Sequence, residues 1–328
     1  MKRILGIAIV LGLVGALAVA AQEVKPVKTE VIDLGNDVKL EMVLIPAGKF
    51  KMGSPGSEKG RNKIETQHEV TLTKPFYMGK YEVTQEQWEA VMGYNPSTSA
   101  NKGAKLPVTN VVWKDCQEFI KKLNAKTDGG YLLPTESEWE YSCRAGSTTV
   151  YSFGDEITPK DANYEDSKIG RPVAVGSYKP NVFGLYDMHV NVEEWCEDWA
   201  AIFPAGAVTD PKGPRAGNAR ILRGGSFAHD ASTARSSNRS YPTPTDRFSF
   251  VGFRLARTAD SKGSIASPTE TKPDPAKLKQ MELMKLAIEK EMVLIPAGKF
   301  MMGSPASEKG RSDNELSLIH ISEPTRPY

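Results

Sequence analysis

The first part of the chain alternates hydrophobic and polar residues in short runs that Gly and Pro interrupt. The stretches "MVLIPAGKFKMGS" (42–54) and "EVTLTKPFYMGKYEVT" (69–84) follow this pattern. Alternation with a period of two is typical of strands that bury one face, and Gly and Pro bound such strands. These stretches therefore predict several short strands that are joined by turns.

Three further segments carry helical signals. Thr84 is followed by Gln87, a capping-box pattern that predicts the start of a short helix. Thr135 and Glu138 repeat this pattern in "PTESEWEYSCRAG", and Gly146 predicts the end of that helix. Between these two, "NVVWKDCQEFIKKLNAK" has helical periodicity. Its apolar residues fall on one predicted face: Cys116, Phe119, Ile120 and Leu123.

A long loop-rich stretch runs from there to Pro214 and precedes two closing strands, "ARILRGGSF" (219–227) and "FVGFRLAR" (250–257). Many short strands with few short helices predict an α+β fold. We assign it to one loop-rich domain over residues 30–257. Because such a scaffold holds its loops at the surface, the loops are expected to carry the function.

The chain also repeats itself. "EMVLIPAGKFKMGSPGSEKGR" begins at Glu41, and a nearly identical segment begins at Glu291. Residues 258–290 between them are expected to form a Ser-, Thr-, Pro- and Lys-containing linker that ends in a short charged helix. Residues 291–328 are predicted to be the truncated start of a second copy, because the tail "LSLIHISEPTRPY" matches nothing in the first copy. A lone hairpin cannot bury its own apolar face, so this segment is expected to pack poorly.

Residues 1–21 have the pattern of a secretory signal peptide: "MKR", an apolar run to residue 17, and "AVA" as the cleavage pattern. The alternative is an N-terminal anchor helix, but the apolar run is shorter than the roughly 20 residues that a span needs. We therefore expect cleavage, a secreted or periplasmic protein, and no membrane span after cleavage.

Composition narrows the function classes. The net charge is +2 and the lysines are dispersed, which argues against nucleic acid as a partner. The three cysteines include no CxxC pair, so no zinc or dithiol motif is present. Cys116 and Cys143 are expected to be buried, inert thiols, with a disulfide between them as the alternative.

Several blocks occur in an order that resembles one known family. They include "YEVTQEQW", "LPVTNVVWKDCQEFIKKLN", "LLPTESEWEYSCRAG", "NVFGLYDMHVNVEEWCEDW" and "ILRGGSF". Over residues 41–257 the chain is similar to the sulfatase-modifying-factor, or formylglycine-generating-enzyme-like, family. The resemblance implies a variant of the C-type lectin fold with a surface cleft. It does not by itself imply activity, because function belongs to the site and not to the fold.

The oxidases of this family convert a sulfatase cysteine to formylglycine with oxygen and copper, which two cleft cysteines bind. Thiolates are the ligands that select Cu(I). Here the matching positions hold His229 and Ala234, although Ser226 remains. The resemblance therefore implies a cleft without catalytic residues, and no copper is expected.

Two other chemistries are poorly supported by the sequence. Related iron enzymes use three histidines, two of them from a separate bundle domain; the sequence contains no HxxxH-like pair, and we do not expect a bundle domain before the fold. Ser226 and His229 offer a nucleophile and a base, but no third group and no GxSxG elbow accompanies them. We expect them to be polar loop residues.

Calcium is the cofactor that the resemblance implies. Glu194 matches the family's ligand carboxylate, and His189, Val190 and Val192 would offer backbone oxygens, which suit a hard cation. Val190 replaces a glycine, and valine is not expected to reach a positive φ. The alternative is that Glu194 caps a helix or pairs with an arginine. A second family calcium site would involve Asn163, after which the loop is short.

Polar residues around the Gly-Gly-Ser segment remain as a candidate binding cleft, because arginine and amide side chains can bind carboxylates, sulfates or peptide backbone. For Arg223 and Arg239 the alternative is that they only tie loops to the core. The cleft residues are Ser226, His229, Asp230, Arg235, Asn238 and Arg239. Three functions compete: a recognition module for a protein, peptide or glycan, a formylglycine-generating oxidase, and a scaffold protein. We favour the recognition module, with the oxidase as the alternative.

Overall fold

The computed structural model describes residues 28–259, 298–302 and 317–321. Residues 28–259 hold three α-helices: α1 (Gln85–Met92), α2 (Trp113–Lys126) and α3 (Glu136–Arg144). They also hold twelve strands: β1 (Thr29–Gly35), β2 (Val38–Ile45), β3 (Gly48–Met52), β4 (His68–Leu72), β5 (Phe76–Gly79), β6 (Tyr131–Leu132), β7 (Glu193–Trp199), β8 (Val208–Thr209), β9 (Arg220–Arg223), β10 (Arg239–Ser240), β11 (Val251–Gly252) and β12 (Ala256–Thr258). The predicted α+β, loop-rich class is confirmed.

The strands form three small sheets. The largest has the order β1-β2-β5-β12-β6, so the last strand of the domain lies in the middle of the sheet that contains the first. A second sheet has the order β10-β9-β7-β11, and a third has the order β3-β4-β8. Most neighbouring strands are antiparallel, whereas β4 with β8 and β7 with β11 are parallel. Such pairings bring residues that are far apart in sequence next to one another.

The helix-start predictions are confirmed. The side chains of Thr84 and Thr135 each accept a hydrogen bond from the backbone N–H three residues later, and a full capping box is present at both. The helix predicted to end at Gly146 ends at Arg144, with Ala145 in the left-handed conformation. The predicted apolar face of α2 is also confirmed, because all four of its residues are buried.

Two clusters of buried side chains fill the domain. In the first, the indole ring of Trp88 on α1 stacks on Phe119 of α2, with ring centroids 5.2 Å apart, and Phe253 packs edge-on against both rings. The second packs α3 against β3, β4, β5 and β9, with Trp139 fully buried in it. Burying a large aromatic ring supplies several times the stabilisation of a methyl group, so these rings fix how the helices lie on the sheets.

The strands β13 (Gly298–Met302) and β14 (Ser317–Ile321) belong to a second unit of the chain. They pair antiparallel, with Gly298 opposite Ile321. β13 is the repeat of β3, and the tail segment "SLIHI" takes the pairing position that β4 has in the first copy. The predicted linker, most of the truncated copy and the signal peptide lie outside the described residues. Among the residues that are described, no helix has the length and apolar character to cross a membrane.

Candidate functional site

The Gly-Gly-Ser turn at the end of β9 needs its glycines. Gly224 and Gly225 have φ values of 98° and 70°. A Cβ at Gly225 would lie 2.6 Å from Thr233 Oγ1, and one at Gly224 would lie 3.1 Å from the Trp139 ring. Because side chains rarely adopt positive φ and no space exists for them here, the turn requires glycine at both positions.

Ser226 and His229 lie together after this turn. Ser226 Oγ is 2.9 Å from His229 Nδ1, and the Ala228 N–H donates to the same hydroxyl at 3.2 Å. Ser226 is fully buried, whereas His229 is half-buried, and burial lowers the pKa of its imidazole. Within residues 28–259 the structure shows no third group that orients the ring. The pair therefore holds the loop and lacks an accessible nucleophile.

The second position that matches a family cysteine lies in the interior. Ala234 is fully buried, and its carbonyl accepts a 2.8 Å hydrogen bond from His189 Nδ1. Burial lowers the pKa of His189 to about 4, so this ring is neutral at physiological pH. A methyl group and an engaged carbonyl thus stand where a copper-binding thiolate would be required.

Arginines of the candidate cleft are used in buried ion pairs. Arg223 lies between Glu140 and Glu136 and also donates to the backbone carbonyls of Ser236 and Asn238. Arg239 binds Glu136 through two hydrogen bonds, of 2.8 and 2.6 Å. Both arginines connect loops to the core, which is the alternative that the sequence left open for them.

Arg235 is engaged in the same way. Its guanidinium binds both carboxylate oxygens of Glu65 at 2.8 Å and reaches Glu58 at 2.7 Å. Hydrogen bonding to such paired carboxylates is strong when it is bidentate. The arginine therefore fastens the 54–65 loop to the segment after Ala234, and its donors are not free to bind a ligand.

Asp230 and Asn238 remain at the surface of the cleft. Asp230 is exposed, and its carboxylate accepts from the N–H of Ser232 at 2.8 Å, where it caps the short 3-10 turn Ala231–Ala234. Asn238 is half-buried. Three of the six predicted cleft residues are not buried and can meet a ligand: His229, Asp230 and Asn238.

Sequence reasoning missed an aromatic surface beside His229. The ring of Phe250 packs edge-on against His229 at 4.8 Å between centroids, and Phe248 stacks on Phe250 at 5.1 Å. Both phenylalanines are only partly buried. The "FSF" alternation after a Pro-rich loop was the signal that could have indicated it. We call the surface formed by His229, Phe248 and Phe250 the aromatic ledge. It borders the Gly-Gly-Ser turn.

The predicted calcium ligand Glu194 is bound to an arginine. Arg254 Nη2 lies 2.7 Å from Oε1 and Arg254 Nε lies 2.7 Å from Oε2, while Trp139 Nε1–H donates to Oε2 at 2.7 Å. Arg254 and Glu194 are both almost fully buried. A guanidinium in this position would repel a divalent cation, and both oxygens are already used. The contacts therefore fit the arginine pair and do not fit calcium at Glu194.

Val190 contradicts the expectation that valine would not reach a positive φ. Val190 has a φ of 67° and is fully buried, so this valine does adopt the conformation that glycine supplies in the resembled loop. Tertiary packing imposes a strained conformation here, which costs on the order of 1–3 kcal/mol. At the second predicted calcium position, the Asn163 amide donates to Arg171 and Asn191 and accepts from Ser167 at 2.8 Å. Its oxygen already has a partner.

Three buried carboxylates were not predicted, and two of them lie near Arg254. Glu82 and Asp187 lie within electrostatic reach of the Glu194–Arg254 pair, and burial raises the pKa of both, to about 6 for Asp187. Glu193, on β7, is also buried, which raises its pKa to about 7. The sequence could not reveal that Glu82 folds beside Asp187, because the two residues lie in separate segments of the chain.

The cysteines are free and buried, as predicted for Cys116 and Cys143, and burial raises the pKa of each thiol, to about 12 for Cys143. Over the part of the chain that the structure describes, no group of three or more His, Cys, Asp or Glu side chains is arranged to hold a metal ion.

Comparisons with known proteins agree with the geometry. A family model described as "Sulfatase-modifying factor enzyme 1-like domain" matches residues 33–259. The formylglycine-generating enzyme of Streptomyces coelicolor is 36% identical over 49% of this chain and 55% of its own length. Its counterpart in Mus musculus is 30% identical over 66% of this chain and 74% of its own length. The chain thus spans only about half of the Streptomyces enzyme.

Among solved structures, Treponema denticola variable protein 1 superposes with a TM-score of 0.64 at 30% identity, which covers 70% of this chain and 99% of that one. The predicted variant of the C-type lectin fold, loop-rich with short strands and few short helices, is confirmed.

Proposed function

The chain belongs to the sulfatase-modifying factor enzyme 1-like family, and we propose that it acts as an exported recognition module for a protein, peptide or glycan, without oxidase activity. One observation carries this proposal. The Gly-Gly-Ser turn and the buried arginine pairs are present, while His229 and Ala234 stand at the two positions that match the family's copper-binding cysteines. A soft Cu(I) ion requires such ligands.

The aromatic ledge supports binding as the remaining role. Aromatic rings that are partly exposed supply large contact area with little loss of side-chain entropy, and they are enriched where proteins bind partners. If Nδ1 of His229 accepts from Ser226, as their 2.9 Å separation allows, Nε2 carries the ring proton and can donate to a ligand. A donor beside two aromatic rings suits an extended peptide or a sugar.

The formylglycine-generating oxidase is the alternative, which the names of the relatives favour. In this chain all three cysteines are buried and have raised thiol pKa values, so none offers an accessible thiolate near the cleft. Export is a further part of the proposal and is supported by the leader pattern of residues 1–21.

Ligand capture tests this proposal. The immobilised full chain is screened with a random peptide library and with a glycan array, and each retained ligand is measured again with the variant His229→Ala. We expect at least a tenfold loss of affinity for true cleft ligands, with an unchanged melting temperature. Ligands that bind His229→Ala as tightly as the original chain, or a chain that retains no ligand, would contradict a recognition role for this cleft.

A further inference from the structure

A second cavity lies away from the aromatic ledge, between β3 and the C-terminal end of α3. Its volume is about 590 Å³, and its walls come from β3, β4, α3 and the segment that follows α3. Sites for small ligands commonly span roughly 300–1,000 Å³. None of the predicted cleft residues lines it, so it is a separate candidate site.

The cavity has an aromatic floor. Phe50 and Tyr141 have ring centroids 5.3 Å apart, and Tyr141 and Phe183 have centroids 5.7 Å apart. Aromatic rings in a pocket contribute apolar area on which a flat apolar ligand face can pack. The floor thus suits a ligand with a nonpolar face.

One polar group in this floor is unused. Tyr141 is only 7% exposed, and its hydroxyl has no hydrogen-bond partner among the described residues. The hydroxyl lies against the backbone of Gly48, where a Cβ would stand 2.3 Å from it. Burial raises the pKa of Tyr141, so the hydroxyl keeps its proton. The hydroxyl oxygen keeps some contact with solvent, so a ligand oxygen can reach it.

The rim is cationic. Lys49 and Lys51 on β3 and Glu69 on β4 line it, whereas Arg144 at the end of α3 is buried and already bound to Glu140 and to the carbonyls of Gly53 and Thr149. Glu140 binds Arg144 at 2.9 Å, and Glu69 approaches Lys49 only at 3.9 Å and near solvent. Lys51 makes no ion pair among residues 28–259, although Glu69 lies opposite it in the β3–β4 register. One carboxylate thus serves two lysines, and the rim keeps a net positive charge that can pair with an anionic ligand.

We propose that this cavity binds an acidic saccharide, a sugar that carries a carboxylate or a sulfate group. The C–H face of a sugar ring would pack on Phe50 and Phe183, and the Tyr141 hydroxyl would donate to a ring or hydroxyl oxygen. Lys51 would pair with the anionic group. This site is independent of the recognition role proposed for the aromatic ledge.

Isothermal titration of the full chain tests the proposal with three probes: tetragalacturonate, a chondroitin 4-sulfate tetrasaccharide and uncharged maltotetraose. The first two distinguish carboxylated from sulfated sugars. We expect at least one acidic probe to bind at least tenfold more tightly than maltotetraose, and its affinity to fall as salt screens the lysines. Failure of both acidic probes to bind, or equal affinity for maltotetraose, would overturn the proposal.

Two variants locate the binding. Tyr141→Phe should lower the affinity for the acidic probe three- to tenfold. It should leave the melting temperature of the protein unchanged, because the lost hydroxyl has no protein partner. Lys51→Met should lower this affinity about tenfold; methionine is the residue found at the matching position of the repeat. Lys121→Met, on the exposed face of α2, should leave the affinity unchanged. If Phe250→Ala weakens the probe and Tyr141→Phe does not, the sugar occupies the aromatic ledge. That result would overturn the cavity site and leave the recognition role intact.

Discussion

Removing the charge of Glu194 should destabilise the domain strongly. The Glu194→Gln variant leaves the Arg254 guanidinium, which is fully buried, without its bidentate partner at 2.7 Å. Breaking a buried ion pair on one side costs about 3–5 kcal/mol. The carboxylates of Glu82 and Asp187 still act on Arg254, so we expect the lower end of this range. For a domain of this size the melting temperature should fall by roughly 6–12 °C.

Urea unfolding at pH 7 measures the effect, with the slope of the transition checked for constancy. Glu41→Gln is the matched control, because Glu41 also pairs with a cation at 2.8 Å, but the side chains of Lys80 and Glu41 are 24% and 34% exposed. A pair of this kind contributes about 1 kcal/mol or less. If Glu194→Gln and Glu41→Gln lose similar free energies, the arginine pair does not have the role that we assign to it.

The same measurement separates the arginine pair from a calcium site. A calcium ion present at ~100 times its dissociation constant would stabilise the folded domain by roughly 2.7 kcal/mol. Because Arg254 already occupies both oxygens of Glu194, we expect the wild-type unfolding midpoint to be the same in calcium and in chelator. A midpoint that rises with calcium, and loses that rise in Glu194→Gln, would restore the calcium assignment.

Three further predictions concern Glu193, the cysteines and the two positions that match the family's copper-binding cysteines. Burial raises the pKa of Glu193 to about 7 from 4.5, so the folded state holds this proton more tightly and stability falls as the pH rises between these values. Glu193→Gln should therefore stabilise the domain by about 3 kcal/mol at pH 8 and by little at pH 4, as thermal unfolding can show; equal effects at both pH values would contradict it. The thiols of Cys116, Cys143 and Cys196 should resist iodoacetamide in the native protein and react with it in the unfolded protein. Mass spectrometry that finds alkylation of the native protein would disprove their burial. The double variant His229→Cys/Ala234→Cys should compete with bathocuproine for Cu(I) while the original chain does not; competition by the original chain would show that it has another copper site.

Local features of this fold could be predicted from the sequence, whereas its long-range pairs could not. The caps at Thr84 and Thr135 depend on residues three positions away, so their pattern is visible in the chain itself. The loss of the cysteines at His229 and Ala234 was visible for the same reason, once the ordered motifs had set the register.

The rest of the site depends on contacts between residues that are distant in sequence. Glu194 and Arg254 are 60 residues apart, and nothing in either local segment specifies that they meet. Val190 shows a related limit: its intrinsic preference disfavours positive φ, but packing in the folded loop overrides it. The cavity floor likewise joins Phe50, Tyr141 and Phe183, which come from three separate segments.

We propose that this chain keeps the fold of the family's active site without its chemistry. Turnover of a C-x-P-x-R peptide is the direct measurement: the full chain is incubated with the peptide, copper and oxygen, and mass spectrometry follows the conversion of the peptide cysteine to formylglycine. Because His229 and Ala234 replace the copper-binding thiolates, we predict no conversion above a control without protein. Conversion above that control, which disappears when copper is removed, would contradict the claim.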